Sequence, residues 1–223
     1  MPPPNHRFYA WSRRRQNLFI GLSIGLFFLL IIASMSGLIF NRFWTLLLFP
    51  LIFIPAQFVD TPSSVRSGRF IYFSPLFIVE KQKDDFILHG GTLFDYLFVF
   101  NWQDLGEPAR RKVVADFLSG LNAFVHYVED QNLHDVDISG TSYFFNGRNA
   151  ERYGFETTPV AAAQQVIMGF NFLVLIATYS FTQGRLAFPP LNQLKAVKSD
   201  GKTLIQHKDQ LAKMVGRLEK TIS

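Results

Sequence analysis

Residues 18–35 read LFIGLSIGLFFLLIIASM, a nearly continuous apolar stretch without a charged side chain. A helix needs roughly 20 such residues to cross a hydrocarbon layer of about 30 Å. An uncharged apolar run of this length is typical of a transmembrane helix, and it predicts one here.

A second apolar segment follows at residues 38–59, interrupted only near its start by Asn41 and Arg42. The two segments predict a transmembrane helical hairpin over residues 17–59. In an alternative register the first helix continues to Phe40, and residues 45–59 form a shorter second segment kinked by prolines. Both registers bring the chain back to the side on which it began.

The positive charge of the chain is concentrated at its N-terminus. Five arginines precede residue 43 and no acidic residue occurs before Asp60, whereas residues 43–223 carry 17 basic and 17 acidic side chains. Basic residues beside a membrane segment stay in the cytoplasm, so the cluster at 13–15 predicts a basic cytoplasmic N-terminus over residues 1–16 and both termini in the cytoplasm. The expected partner is the lipid bilayer, and a nucleic-acid partner is not expected.

The chain contains no cysteine, which excludes disulfides, thiolate metal ligands and a cysteine nucleophile. Its five histidines show no metal-ligand spacing, so no metal site is predicted.

Beyond a polar linker at residues 60–68, the composition changes to that of a small α+β domain, predicted over residues 69–223 on the cytoplasmic side. Residues 69–80 and 86–100 are rich in aromatic and β-branched side chains and predict a hairpin in an antiparallel sheet with covering helices. The adjacent Gly90 and Gly91 leave three short strands open as an alternative.

A long amphipathic helix is predicted after Asp104, which has capping-box spacing with Glu107 and precedes Pro108 in the first turn. Apolar residues then recur at intervals of three and four, which indicates one face packed on the sheet. Further strands are predicted at 136–139, 142–145 and 155–157, with a helical turn at 149–153.

An uncharged stretch of 25 residues follows at 160–184 and predicts an apolar helix over residues 159–183. A third membrane span is one interpretation. The polar stripe of Gln164, Asn171 and Thr178, together with a basic C-terminal tail, favours a buried or membrane-surface helix. A C-terminal amphipathic helix is predicted over residues 203–222, with Thr203 and Gln206 at capping-box spacing.

Residues 103–107 (QDLGE) open the long helix, and residues 146–156 read NGRNAERYGFE. In this order they resemble two landmarks of the GNAT acyltransferases, a pyrophosphate-binding loop and a later Asn-to-Tyr-Gly-Phe-Glu segment. The resemblance implies acyl-CoA binding at a helix N-terminus by Gln103 and Gly106, with Tyr153 as a candidate catalytic residue. His89 is a second catalytic candidate, because the neighbouring Gly90 and Gly91 let a ligand approach the backbone.

The pairs Gly91-Thr92 and Gly140-Thr141, with residues 150–156, also resemble uncharacterised bacterial proteins of the YkoP type, and this resemblance implies no activity.

Two functions are therefore predicted. The first is a non-catalytic accessory or interaction protein of a bacterial inner membrane, without a cofactor, whose partner is a membrane protein or a second copy of the chain. The alternative is a membrane-bound GNAT-like acyltransferase that uses acyl-CoA.

Overall fold

The computed structural model describes residues 5–40, 45, 48–83, 85–142 and 147–222. A short helix α1 (Arg7–Ala10) precedes the long apolar helix α2 (Arg13–Phe40). The chain then returns through a 3₁₀ turn (Phe49–Ile52) and α3 (Phe53–Arg66), which together form the return leg.

The return leg runs antiparallel to α2. Near one end, Arg66 donates to the side-chain oxygen of Asn17 at 3.0 Å, and far along the helix the Thr45 hydroxyl donates to the Ser34 carbonyl at 3.0 Å. Arg66 and the first turn of α2 therefore lie at the same end of the hairpin.

The predicted pair of transmembrane helices is corrected to one. Among the described residues a single helix, Arg13–Gly37, is long and apolar enough to cross a membrane. The 14 residues of α3 rise only about 21 Å, less than the roughly 30 Å of a hydrocarbon layer. The predicted linker at 60–68 is instead helical as far as Arg66, with Pro62 accommodated inside α3.

The domain is built on a six-stranded sheet with strand order β1-β2-β3-β4-β6-β5. Its strands are β1 (Phe70–Ser74), β2 (Phe77–Gln82), β3 (Asp85–Gly90), β4 (Asp137–Ser142), β5 (Glu156–Thr158) and β6 (Lys195–Asp200). The α+β class is confirmed, but the sheet is mixed because β3 and β4 pair in parallel through a helical crossover.

The second predicted strand, 86–100, ends early. β3 stops at Gly90, so the predicted break at Gly90 and Gly91 is present, but residues 93–99 form helix α4 (Leu93–Val99) and not a further strand. The first predicted strand, 69–80, is instead divided into β1 and β2. Thr92 and Asp95 form a complete capping box, which supplies acceptors for the amides at the helix start.

The long helix α5 (Glu107–Asp130) crosses from β3 to β4 and covers one face of the sheet. Leu121 and Phe124 are fully buried against Phe77 and Phe86 of the strands. Gly120 allows this close approach, because a Cβ at that position would lie 2.5 Å from the Cβ of Phe77. The predicted packing of this helix on the sheet is confirmed.

The C-terminal third differs most from expectation. Its helices are α6 (Gly147–Arg152), α7 (Ala162–Phe170), α8 (Phe172–Gln183), α9 (Gly201–Gln206) and α10 (Lys208–Ile222). The predicted helix 159–183 is broken at Asn171, where α7 and α8 meet at a bend of 73°. The predicted helix 203–222 is likewise two helices, and Asp200 rather than Thr203 caps the first. Most of the predicted strand 142–145 lies outside the described residues.

Candidate functional site

Most of the exposed large apolar side chains of the described surface lie in three regions. On α2 they are Leu18, Leu22, Ile24, Leu26, Phe28, Leu29, Ile32 and Met35, as expected of a helix that faces lipid. On α7 they are Val166, Ile167 and Phe170, and on the following loop Leu186, Phe188 and Leu191. A water-facing domain rarely exposes apolar groups in such numbers, which makes these regions the candidate interaction surface.

The three regions form one apolar surface. The Phe170 ring of α7 stacks on Phe53 of the return leg with centroids 5.6 Å apart, and contacts Phe49 at 5.9 Å. At the start of α8, Phe172 stacks on Phe188 of the loop at 6.3 Å. The apolar surface thus passes from α2 and its return leg over α7 to the loop.

A groove of about 420 Å³ opens on this surface between the return leg and α7. The described residues that line it are Thr45, Phe49, Pro50, Val166, Gly169 and Phe170. Its one polar side chain among these, Thr45, is already bonded to the Ser34 carbonyl, so the described walls offer a ligand only apolar contact. A second cavity of about 480 Å³ lies beside α7, where Lys195, Gln165 and Asn192 mix with apolar side chains.

The most polar buried cluster surrounds Asp95 of α4, which has no solvent exposure. Its Oδ2 accepts from the Thr92 amide at 2.6 Å and the Thr92 hydroxyl at 2.8 Å. Its Oδ1 accepts from the Tyr72 hydroxyl and from His6 Nε2, the latter at 3.2 Å. Burial, followed by the nearby Asp95 charge, raises the pKa of Tyr72 well above its ordinary value, so the phenol stays a donor.

Residues 6–8 form an N-terminal clasp on α4. While His6 bonds Asp95 in the first turn, the Arg7 guanidinium donates to the carbonyls of Leu97 at 2.7 Å and Phe98 at 2.9 Å, and to that of Phe100. A cation at these carbonyls is favourable because the C-terminal end of a helix carries partial negative charge. Phe8 is fully buried among aromatic rings of α2, α3 and α4.

Sequence reasoning missed the clasp. The Thr92-x-x-Asp95 spacing was a usable signal for a helix start, but nothing in the sequence pairs His6 with a residue 89 positions away.

His89, a candidate catalytic residue, lies on β3 and is partly exposed. Its Nε2 is 3.0 Å from Oε2 of Glu80 on β2, and Arg69 Nε lies 3.9 Å from the other oxygen. The hydrogen bond from His89 is the main reason that the pKa of Glu80 falls from 4.5 to about 2. The group is an ion-pair network on a strand pair, and neither cavity described above includes it.

The predicted acyl-CoA residues lie at the start of α5. Gln103 is exposed in a 3₁₀ turn (Trp102–Asp104), and Asn101 and Asp104 form the capping box of that turn. The prediction that Asp104 caps the long helix α5 is therefore wrong. Gly106 is the N-cap of α5, and its amide donates to the Phe181 carbonyl at 2.9 Å. That amide is engaged by α8, which favours a capped helix start over an open anion cradle.

Tyr153, the other catalytic candidate, is 4% exposed and packs in the main core with Ala150 and Phe155. Burial raises the pKa of its phenol. Gln103 and Gly106 therefore both lie at the start of α5. Tyr153 lies in the hydrophobic core, and His89 is paired with Glu80.

Within the described ranges, no group of three or more His, Asp or Glu side chains is arranged to hold a metal ion. Comparisons with protein-family models, curated proteins and solved structures give no match for this chain.

Proposed function

We propose that this chain is a membrane-anchored, non-catalytic accessory or interaction protein of a bacterial inner membrane, with both termini and the α+β domain on the cytoplasmic side. The observation that carries the proposal is the apolar surface, which extends beyond α2 onto α7 and the loop around Phe188. Apolar side chains exposed outside the anchor itself need a partner, and the bilayer next to α2 supplies one.

The charge of the hairpin supports the proposed orientation. Arg13, Arg14 and Arg15 begin α2, and Arg66 returns to the same end by bonding Asn17. Basic residues at one end of a membrane segment favour the cytoplasmic side for that end. The domain follows directly after Arg66 and therefore lies on that side as well.

The absence of native cysteine makes the proposal testable with single labels. Ile167→Cys and Leu186→Cys place a nitroxide on the apolar surface, and Asp209→Cys on exposed α10 is the matched control. In lipid vesicles we expect the first two labels to collide with dissolved oxygen in preference to a water-soluble nickel complex, and the control to show the reverse. Nickel access at all three positions would show that the surface faces water and would refute the proposal.

A further inference from the structure

We infer that the groove between the return leg and α7 binds one acyl chain of a membrane lipid. The inference rests on the proposed insertion of the hairpin into the bilayer, and it adds a defined ligand class and binding site.

The chemistry of the described walls selects an uncharged, apolar ligand. Phe49, Pro50, Val166 and Phe170 supply apolar surface, and the Thr45 hydroxyl is already bonded. A charged or hydroxylated ligand would lose its water in this groove without gaining a hydrogen bond from these walls. A hydrocarbon chain makes no hydrogen bonds to water, so it loses none when it enters the groove.

The depth of the groove places it among lipid tails. At 1.5 Å per residue, Ser34 lies about 26 Å along α2 from Asn17, and Ser34 is the level at which Thr45 is bonded. Phe49 and Pro50 begin the return leg, which runs from this level back toward the basic end. When α2 spans a layer of about 30 Å, the groove opens inside the hydrocarbon and below the headgroups.

The size of the groove favours one chain over a protein partner. A volume of about 420 Å³ falls within the range of small-ligand sites, roughly 300–1,000 Å³. A second copy would need an interface of about 1,000 Å² or more, and the six described lining residues fall short of that area. The groove also adjoins α2, since Thr45 of its wall bonds Ser34 of that helix, along which lipid tails lie in the proposed arrangement.

Gly169 lies on the α7 wall of the groove, and a substitution at this position tests whether the groove binds an acyl chain. Apart from its chain neighbours and the backbone of its own helix, no described atom lies within 4 Å of the place where a Cβ at Gly169 would be, so the side chain of a larger residue has open space at its base. Gly216 on α10 is equally open and provides a matched control for a glycine substitution in a helix. Both variants, Gly169→Leu and Gly216→Leu, are expected to fold.

The experiment uses the full chain in phosphatidylcholine vesicles containing a phospholipid with a diazirine in its acyl chain, followed by irradiation and peptide mapping. In the wild type, Val166, Phe170 and Phe49 should be labelled more densely than Leu29 and Ile32 of α2. Gly169→Leu should lower groove labelling about tenfold, because the new side chain denies burial to roughly two methylene groups. Labelling of α2 should not change, and Gly216→Leu should behave as the wild type.

Equal groove labelling in Gly169→Leu and the wild type overturns the inference while leaving the proposed function intact. No labelling of α2 would instead show that the hairpin is outside the bilayer, which refutes the proposed function and with it the inference. Groove labelling that falls as the protein-to-lipid ratio rises would identify a second copy as the occupant. Groove labelling that is present in vesicles and disappears in native membranes would identify a partner helix as the occupant. A second copy or a partner helix in the groove would each overturn the inference of an acyl-chain site.

Discussion

Asp95 is a carboxylate without access to water, and such a group is stable only when other groups satisfy both of its oxygens. Thr92 supplies two donors to one oxygen, and Tyr72 and His6 supply donors to the other. The cluster therefore joins strand, helix and N-terminal segment through one buried side chain.

Removing this carboxylate should destabilise the protein strongly. Asp95→Ala leaves the buried His6 and Tyr72 donors without their acceptor, and we expect the free energy of unfolding to fall by about 3 kcal/mol or more. Thermal unfolding in detergent micelles, followed by tryptophan fluorescence, measures the change. Asp209→Asn on exposed α10 is the control and should leave the midpoint unchanged. An unchanged midpoint in Asp95→Ala would show that the network contributes nothing to stability.

The Glu80–His89 pair should give a pH-dependent contribution with a definite sign. The pKa of Glu80 is lowered in the folded protein from 4.5 to about 2, so the pair stabilises the fold above pH 4.5 and loses its effect as the pH falls toward 2. Because the pair is partly exposed, Glu80→Gln should cost about 1 kcal/mol or less at neutral pH. Wild type and Glu80→Gln should converge in stability near pH 2. A difference that stays constant from pH 7 to pH 2 would contradict this account.

At the scale of elements, α4 is a helix of seven residues that is too short to be stable alone. Both of its ends are held by the N-terminal clasp, with His6 at its first turn and Arg7 at its last carbonyls. The clasp therefore acts as an external cap for a helix that could not form from local sequence preference.

Arg7→Gln should loosen the end of α4. The variant loses hydrogen bonds from a cation to the carbonyls of Leu97 and Phe98, and we expect a loss of about 1–2 kcal/mol. Amide hydrogen exchange should become faster from Tyr96 to Asn101 than in the wild type. Arg14→Gln, at an exposed position of α2, is the control for loss of charge and should not change exchange in that segment. Unchanged exchange in Arg7→Gln would show that α4 does not need its cap.

Substitutions in the turn at Gly106 distinguish a helix cap from an acyl-CoA site. Its φ of +83° favours glycine and its amide is bonded to Phe181, so Gly106→Val should cost about 1–3 kcal/mol by backbone strain. We expect no thermal shift of the wild type with acyl-CoA. Asp104→Ala, which removes the cap of the 3₁₀ turn, should cost about 1 kcal/mol. A concentration-dependent shift of the wild type, lost in Gly106→Val, would instead support the acyltransferase hypothesis.

Periodic elements could be predicted from the sequence, and elements fixed by tertiary contacts could not. The three-and-four repeat of α5 correctly indicated its length and buried face, since one apolar face dictates helix packing. Strand β6 was missed because KAVKSD is polar and gains its conformation by pairing with β4. The break at Asn171 was missed because local composition there suits a continuous helix. The proposed groove joins residues 45, 49 and 50 to residues 166–170, which only the tertiary fold brings together, so it too could not be predicted from the sequence.

On the scale of the whole molecule, the anchor and the domain are tied together at two points. Phe8 of the clasp is buried between α2 and α4. In addition α3, the second part of the return leg, ends at Arg66, shortly before β1 begins at Phe70. An anchor joined by one flexible linker would let the domain move freely over the membrane. The stacking of Phe170 of α7 on Phe53 of α3 adds a contact between the bent pair and the hairpin.

The topology of α7 and α8 follows from the sheet. β5 immediately precedes α7 and β6 follows α8, yet β5 and β6 are paired with each other, and β6 also pairs with β4. A sheet cannot be divided by a bilayer, because its backbone groups would lose their partners in hydrocarbon. If the apolar surface lies in a bilayer, as proposed, the chain must return to the side from which it left, so the bent pair cannot cross that bilayer.

This argument predicts that positions before and after the bent pair are on the same side. Asp130→Cys at the end of α5 and Asp209→Cys in α10 are both exposed, and the chain has no native cysteine. With a membrane-impermeant maleimide we expect neither variant to react in intact spheroplasts and both to react in inside-out vesicles, because the basic hairpin end favours the cytoplasm. A broken span would give opposite labelling of the two positions, with Asp209→Cys alone reacting in spheroplasts. Since β4, β5 and β6 would then have to lie on both sides at once, that result would contradict the sheet itself as well as the proposed orientation.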